Sequence, residues 1–78
     1  MEIVITKHAF ERMQKYNASK EIVLSAIEYP DSVINSYKER RIYQKKLNGY
    51  ILRVILEEEK EIKTVITVYK SRSKRYEI

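Results

Sequence analysis

The feature that most limits the fold of this chain is a change of hydrophobic period around its single proline. Before Pro30, apolar residues recur at three- and four-residue spacing; from Ser32 onward they alternate every second residue. A helical stretch therefore precedes a sheet-forming one, which predicts an α+β domain.

The caps refine this reading. Ile3-Val4-Ile5 is a short β-branched run and predicts a first strand. Thr6 suits an N-cap, its hydroxyl accepting from the orphan amides of a helix running from about Lys7 to Tyr16. Ala9, Phe10 and Met13 form its predicted apolar side; His8, Glu11, Arg12 and Lys15 form a polar face. Asn17 suits a left-handed helix end, and Ser19 caps a second helix from about Lys20 to Glu28. Glu21 sits where the helix dipole favours an acid. Ile22, Val23, Ala26 and Ile27 face inward, and Leu24 widens the stripe. Tyr29-Pro30-Asp31 ends the helix, because a residue before proline is pushed out of the α region.

Beyond the proline, strands are predicted at Ser32–Tyr37, Arg41–Leu47, Tyr50–Glu57 and Ile62–Lys70. Asn48-Gly49 is a strong hairpin signal, since both residues tolerate positive φ. Four strands on short turns predict a four-stranded antiparallel meander, with the two-helix hairpin covering one face.

A chain of 78 residues makes one domain and one small core. It has no cysteine, so neither a disulfide framework nor a Cys-based zinc site reinforces it. No apolar run is long enough to span a membrane, and the N-terminus lacks the basic leader and apolar stretch of a signal peptide. A cytoplasmic protein is expected.

Charge narrows the partners. Lys and Arg number 16 against 11 acids, and the surplus of five is uneven. From Ile62 to Tyr76 the chain carries Lys63, Lys70, Arg72, Lys74 and Arg75 and no acid; just before lies Glu57-Glu58-Glu59-Lys60-Glu61, read as a solvated hairpin turn. The basic stretch reads either as a surface for a polyanion, nucleic acid being the commonest, or as ordinary solubilising charge.

One glycine rules out a glycine-rich phosphate loop, and one histidine with clustered acids gives poor support for a metal site. No cofactor is implied. His8, of the residue type that titrates nearest neutrality, is the candidate for proton transfer, or else it caps or packs at a helix start. Arg53 interrupts the apolar run Ile51–Leu56, so its charge needs an acid such as Glu11 or a bound phosphate. Lys63, Val65, Thr67 and Tyr69, two apart, are expected on one face of the last strand. Among seven tyrosines, Tyr69 and Tyr76 are interleaved with Lys70, Arg72, Lys74 and Arg75, as stacking on single-stranded RNA requires. Structural use of Tyr69 is the alternative.

The order His8-Ala9-Phe10-Glu11-Arg12-Met13, Ser19, Ala26-Ile27, Pro30-Asp31, Val33, Arg53-Val54 and Val65 to Tyr69 resembles a family of small prokaryotic proteins of unknown function. They look like relatives of the BrnT toxins and, more distantly, of the RelE/ParE toxin superfamily. The resemblance runs from about Ile3 to Tyr69, and its most specific part is the opening His-Ala-x-x-Arg. It implies the same architecture and a type II toxin, a metal-independent endoribonuclease neutralised by an acidic antitoxin. On that analogy His8 is the acid or base, Arg12 and Arg53 hold phosphate beside Tyr69, and Lys70, Arg72, Lys74, Arg75 and Tyr76 follow the RNA. Two alternatives stay open: a non-catalytic nucleic-acid-binding or regulatory module, and a ParE-like toxin acting on a protein. Oligomeric state is not fixed by the sequence.

Overall fold

A computed structural model of the chain describes residues 2–72. The elements follow the order β1 (Glu2–Ile5), α1 (Lys7–Lys15), α2 (Lys20–Glu28), β2 (Ser32–Asn35), β3 (Arg40–Leu47), β4 (Tyr50–Glu59) and β5 (Ile62–Arg72). The α+β class is as predicted, with both helices on one face of a single sheet.

The helices stop and start where their caps dictate. The Thr6 hydroxyl accepts from the Ala9 amide at 3.1 Å, and the Ser19 hydroxyl from the Ile22 amide at 3.2 Å. At the other end of α1, Asn17 takes φ 53°, and the Ala18 and Asn17 amides donate back to the Met13 and Gln14 carbonyls. That is a Schellman turn, which buries Ala18 beside Met13.

The sheet departs from the expected meander by one strand. Its order is β1-β5-β4-β3-β2, and β1 pairs parallel to β5 through Glu2↔Ile62 to Ile5↔Val65. The sheet is therefore five-stranded and mixed. The physical reason is that a half-buried β-branched run must satisfy its backbone, and the outer side of β5 offers the ladder. Ile3 and Ile5 then pack against the core.

Strand ends also moved. β2 stops at Asn35 because Lys38 and Glu39, at φ 54° and 62°, close the turn. β4 continues to Glu59, so most of the acidic cluster is strand rather than turn. Cross-strand pairing with cations extends the ladder there: Glu57 meets Arg40 at 3.2 Å, and Glu58 meets Arg41 and Lys63 at 3.7 Å each. Lys60, at φ 55°, takes the tight turn.

The core lies between helices and sheet. Ala9 and Met13 of α1, Val23, Ala26 and Ile27 of α2, Tyr43 of β3, Leu52, Val54 and Leu56 of β4, and Val65 and Val68 of β5 form it. Phe10, expected in it, is 53 % exposed, because Ala9 and Met13 already face β5 and Phe10 projects to the side. Val65 and Val68 break strict alternation. The cause is a bulge: Leu56 pairs with Val65 but Ile55 with Thr67, leaving Ile66 as an extra residue.

Thr6 ties the helix layer to that bulge. Its amide donates to the Val65 carbonyl at 3.2 Å, and its hydroxyl donates to the same carbonyl at 3.0 Å while accepting from Ala9. Thr6→Val keeps the shape and removes the hydroxyl. We expect a loss of about 1–2 kcal/mol in urea unfolding, with the m-value unchanged.

Candidate nucleic-acid interface

The face of the sheet away from the helices carries a row of polar side chains fixed by strand register. Ser32 pairs with Gln44, Gln44 with Arg53, and Arg53 with Tyr69, across β2, β3, β4 and β5. Paired residues share a face. Because Leu52 and Val54 point to the helices, Arg53 points away from them.

Arg53 is 9 % exposed. Its Nη1 donates to the Tyr69 hydroxyl, and its guanidinium carbon lies 5.3 Å from the Tyr69 ring centroid. The phenol thus holds the cation both by a charge-assisted bond and by its ring face. Glu11, offered by the sequence as a partner, is exposed on α1 in the helix layer. The bulge at Ile66 decides the rest of β5. Thr67 and Tyr69 share the face of Arg53, but Lys63 and Val65 turn to the helix side, so the four do not lie on one face as expected.

The second group of candidates rides on α1. His8 is exposed and Arg12 half-buried, one turn apart on the same flank. Phe10 and Gln14, on the opposite flank, line a hollow with Ala18, Ser19 and Lys20 at the start of α2. Helix α1 packs on β5, and α2 on β4 and β3. The flank with His8 and Arg12 lies on the other side of α1 from that hollow. Among the described residues no strand pairs with the β1 side of β5 beyond Val65. Its free margin runs from Thr67 to Arg72. His8 and Arg12 belong to the helix layer, and Arg53 and Tyr69 lie on the opposite face of the sheet.

Lys70 and Arg72 alternate with Tyr69 and lie on the helix side, opposite Leu52 and Tyr50. The Lys70 ammonium reaches the Asn17 carbonyl at 3.5 Å, where the end of α1 favours a cation. The remaining nucleic-acid candidates, Lys74, Arg75 and Tyr76, lie outside the described residues. At the opposite end of the sheet the acids are engaged. Glu58 accepts from the Tyr43 hydroxyl, which also accepts from Lys63 at 3.0 Å, besides its ion pairs with Arg41 and Lys63. Charge is thus segregated along β5: paired at the Lys63 end, cationic around Lys70 and Arg72.

Among the described residues, no three His, Asp or Glu side chains are grouped to hold a metal, and no helix is long and apolar enough to cross a membrane. Sequence reasoning missed Gln44, which is buried beside Arg53. The signal was present: from the Asn48-Gly49 turn, counting three residues out from Leu47 and Tyr50 pairs Gln44 with Arg53.

A family model described as a domain of unknown function, DUF4258, matches residues 5–70. That span includes His8, Arg12, Gln44, Arg53, Tyr69 and Lys70. No curated protein and no solved structure matches the chain.

The Arg53–Tyr69 contact yields a stability prediction. Tyr69→Phe retains the ring but deprives a buried guanidinium of its hydroxyl acceptor, and we expect a loss of roughly 1.5–3 kcal/mol in chemical denaturation. Tyr69→Leu, which also removes the ring face, is expected to cost more in the same assay.

Proposed function

We propose a function for a chain that belongs to the DUF4258 family: a toxin-like, metal-independent endoribonuclease that takes single-stranded RNA along the free margin of β5. The observation that carries this reading is the buried Arg53, held in place by Tyr69 on the face of the sheet away from α1 and α2. A desolvated, pre-aimed guanidinium is matched to phosphate, and holding it in advance spares reorganisation when charge develops.

The chemistry needs no cofactor. The ribose 2′-hydroxyl attacks the adjacent phosphorus, the bond to the 5′-oxygen breaks, and a 2′,3′-cyclic phosphate and a free 5′-hydroxyl result. One proton leaves the attacking hydroxyl and one reaches the departing oxygen. His8 carries one of these transfers, from the helix side of the margin. Arg53 and Arg12 stabilise the extra negative charge on the non-bridging oxygens from the two sides. Tyr69 positions Arg53. Lys70 and Arg72 then neutralise neighbouring phosphates, as would Lys74 and Arg75, with Tyr76 as a further stacking surface. Such a protein works in the cytoplasm, and an acidic antitoxin segment that covers the cationic margin would silence it.

A second reading has its own support. His8 and Arg12 stand in the helix layer, whereas Arg53 and Tyr69 stand on the opposite face. If RNA engages only one face, the protein is a non-catalytic RNA-binding module.

The two separate in one experiment. Labelled single-stranded RNA is incubated with wild type, His8→Ala and Arg53→Ala in EDTA, and cleavage and binding are both read. The ribonuclease reading expects wild-type products ending in cyclic phosphate and a drop of about 10²-fold or more in rate for His8→Ala. Binding by wild type and His8→Ala alike, with no cleavage, selects the module. Growth arrest on induction without RNA loss would instead point to a protein target.

A further inference from the structure

Gln44 lies beside the proposed site without a role in it. At 1 % exposure it is more deeply buried than Arg53. Among the described residues, neither its amide oxygen nor its amide nitrogen meets a hydrogen-bond partner. Desolvating both groups and leaving both unmet is a standing cost to the free fold. Packing does not explain it. Gln44 faces away from the helices and the main core, and a leucine would fill the same volume at no such cost.

A carboxamide presents an acceptor and a donor side by side in one plane. Its complement is a group that offers a donor and an acceptor at the same spacing. Phosphate offers only acceptors. A nucleobase edge offers both, and adenine, with its N6 amino group next to N7, is the usual match for glutamine. In single-stranded RNA the bases can be splayed out, so such an edge is open to a side chain. Gln44 also stands directly across from Arg53, so a base on one and a phosphate on the other lie at adjacent strand spacing.

We propose that Gln44 is the base-reading residue of this protein, taking the edge of one unstacked adenine while Arg53 takes the adjoining phosphate. The inference rests on the RNA reading above and adds a specificity to it. The amide is covered in the free protein, so the base enters by displacing long side chains of the same face. Lys46, exposed and two residues along β3 on the same face, is the long flexible neighbour, and rotamer changes of that kind are fast.

The test measures binding of short 2′-fluoro, hence uncleavable, homopolymers of the four bases to the full chain by fluorescence anisotropy. Wild type is expected to bind the adenine polymer about tenfold more tightly than the others. Gln44→Leu should bring the adenine polymer down to the level of the rest while leaving the salt dependence unchanged, since that reports phosphate contacts. Arg53→Gln should weaken all four together. Gln44→Leu and Gln44→Met should also melt at or above the wild-type temperature, because they remove unmet polar groups. A lower melting temperature for both would show that the amide serves the free fold, and would overturn the proposal. So would a wild type that binds all four polymers equally, one that prefers another base, or a preference that survives in Gln44→Leu. Failure of wild type to bind any of the four overturns the RNA reading itself, which is a different result from binding without discrimination.

Discussion

The arrangement depends on a single carbonyl. The Val65 oxygen accepts from both the amide and the hydroxyl of Thr6, and that hydroxyl in turn holds the first turn of α1. One residue thus ends β1, starts α1 and fixes both to β5 at its bulge. With the origin of α1 set there, the helix packs on β5 and carries His8 and Arg12 in the helix layer. Move that anchor and the two halves of the proposed site lose their relation.

The sheet then serves two environments. Toward the helices it is dry and apolar, and its strands contribute Leu52, Val54, Leu56, Val65 and Val68 to one core. Away from them it buries a polar row in the middle of the sheet. A guanidinium and an amide in a central position weaken a small fold, which has little stability to spare. The guanidinium is met by Tyr69, whereas the Gln44 amide meets no partner, which is what the proposed base contact would account for. Ion pairing follows the same division. Acids meet cations at the Lys63 end, where they brace the β4–β5 hairpin; at the other end Lys70 donates to the Asn17 carbonyl, and among the described residues no acid pairs with it or with Arg72.

The helical hairpin was legible almost to the residue because local chemistry writes it. Thr6, Asn17 and Ser19 act on amides and carbonyls a few positions away, and Pro30 acts on its neighbour. Features that depend on distant partners were less visible. Nothing in Ile3-Val4-Ile5 says that it lies parallel to a strand some sixty residues later. Glu58 and Glu59 read as turn until cations on other strands are seen to hold the ladder open that far. The bulge left no mark either, since Thr64 to Val68 is a uniform β-branched run in which any residue could be the extra one. For the site, Arg53 was conspicuous as a charge among aliphatics. Gln44 was not, because a polar residue on an alternating strand looks solvated until the hairpin register is counted.

That extra residue has a bearing on how relatives of this protein should be compared. Ile66, by standing outside the ladder, sets the phase of everything after it: if it paired with Ile55 in regular alternation, Val68 would turn outward and Tyr69 would turn in toward the helices. A homologue of equal length without the bulge could keep every recognisable letter of the strand and yet present a different surface, whereas one lacking only that position would present the same one. Comparison within this family should therefore ask where the ladder is interrupted between Val65 and Tyr69, and not only which residues stand there.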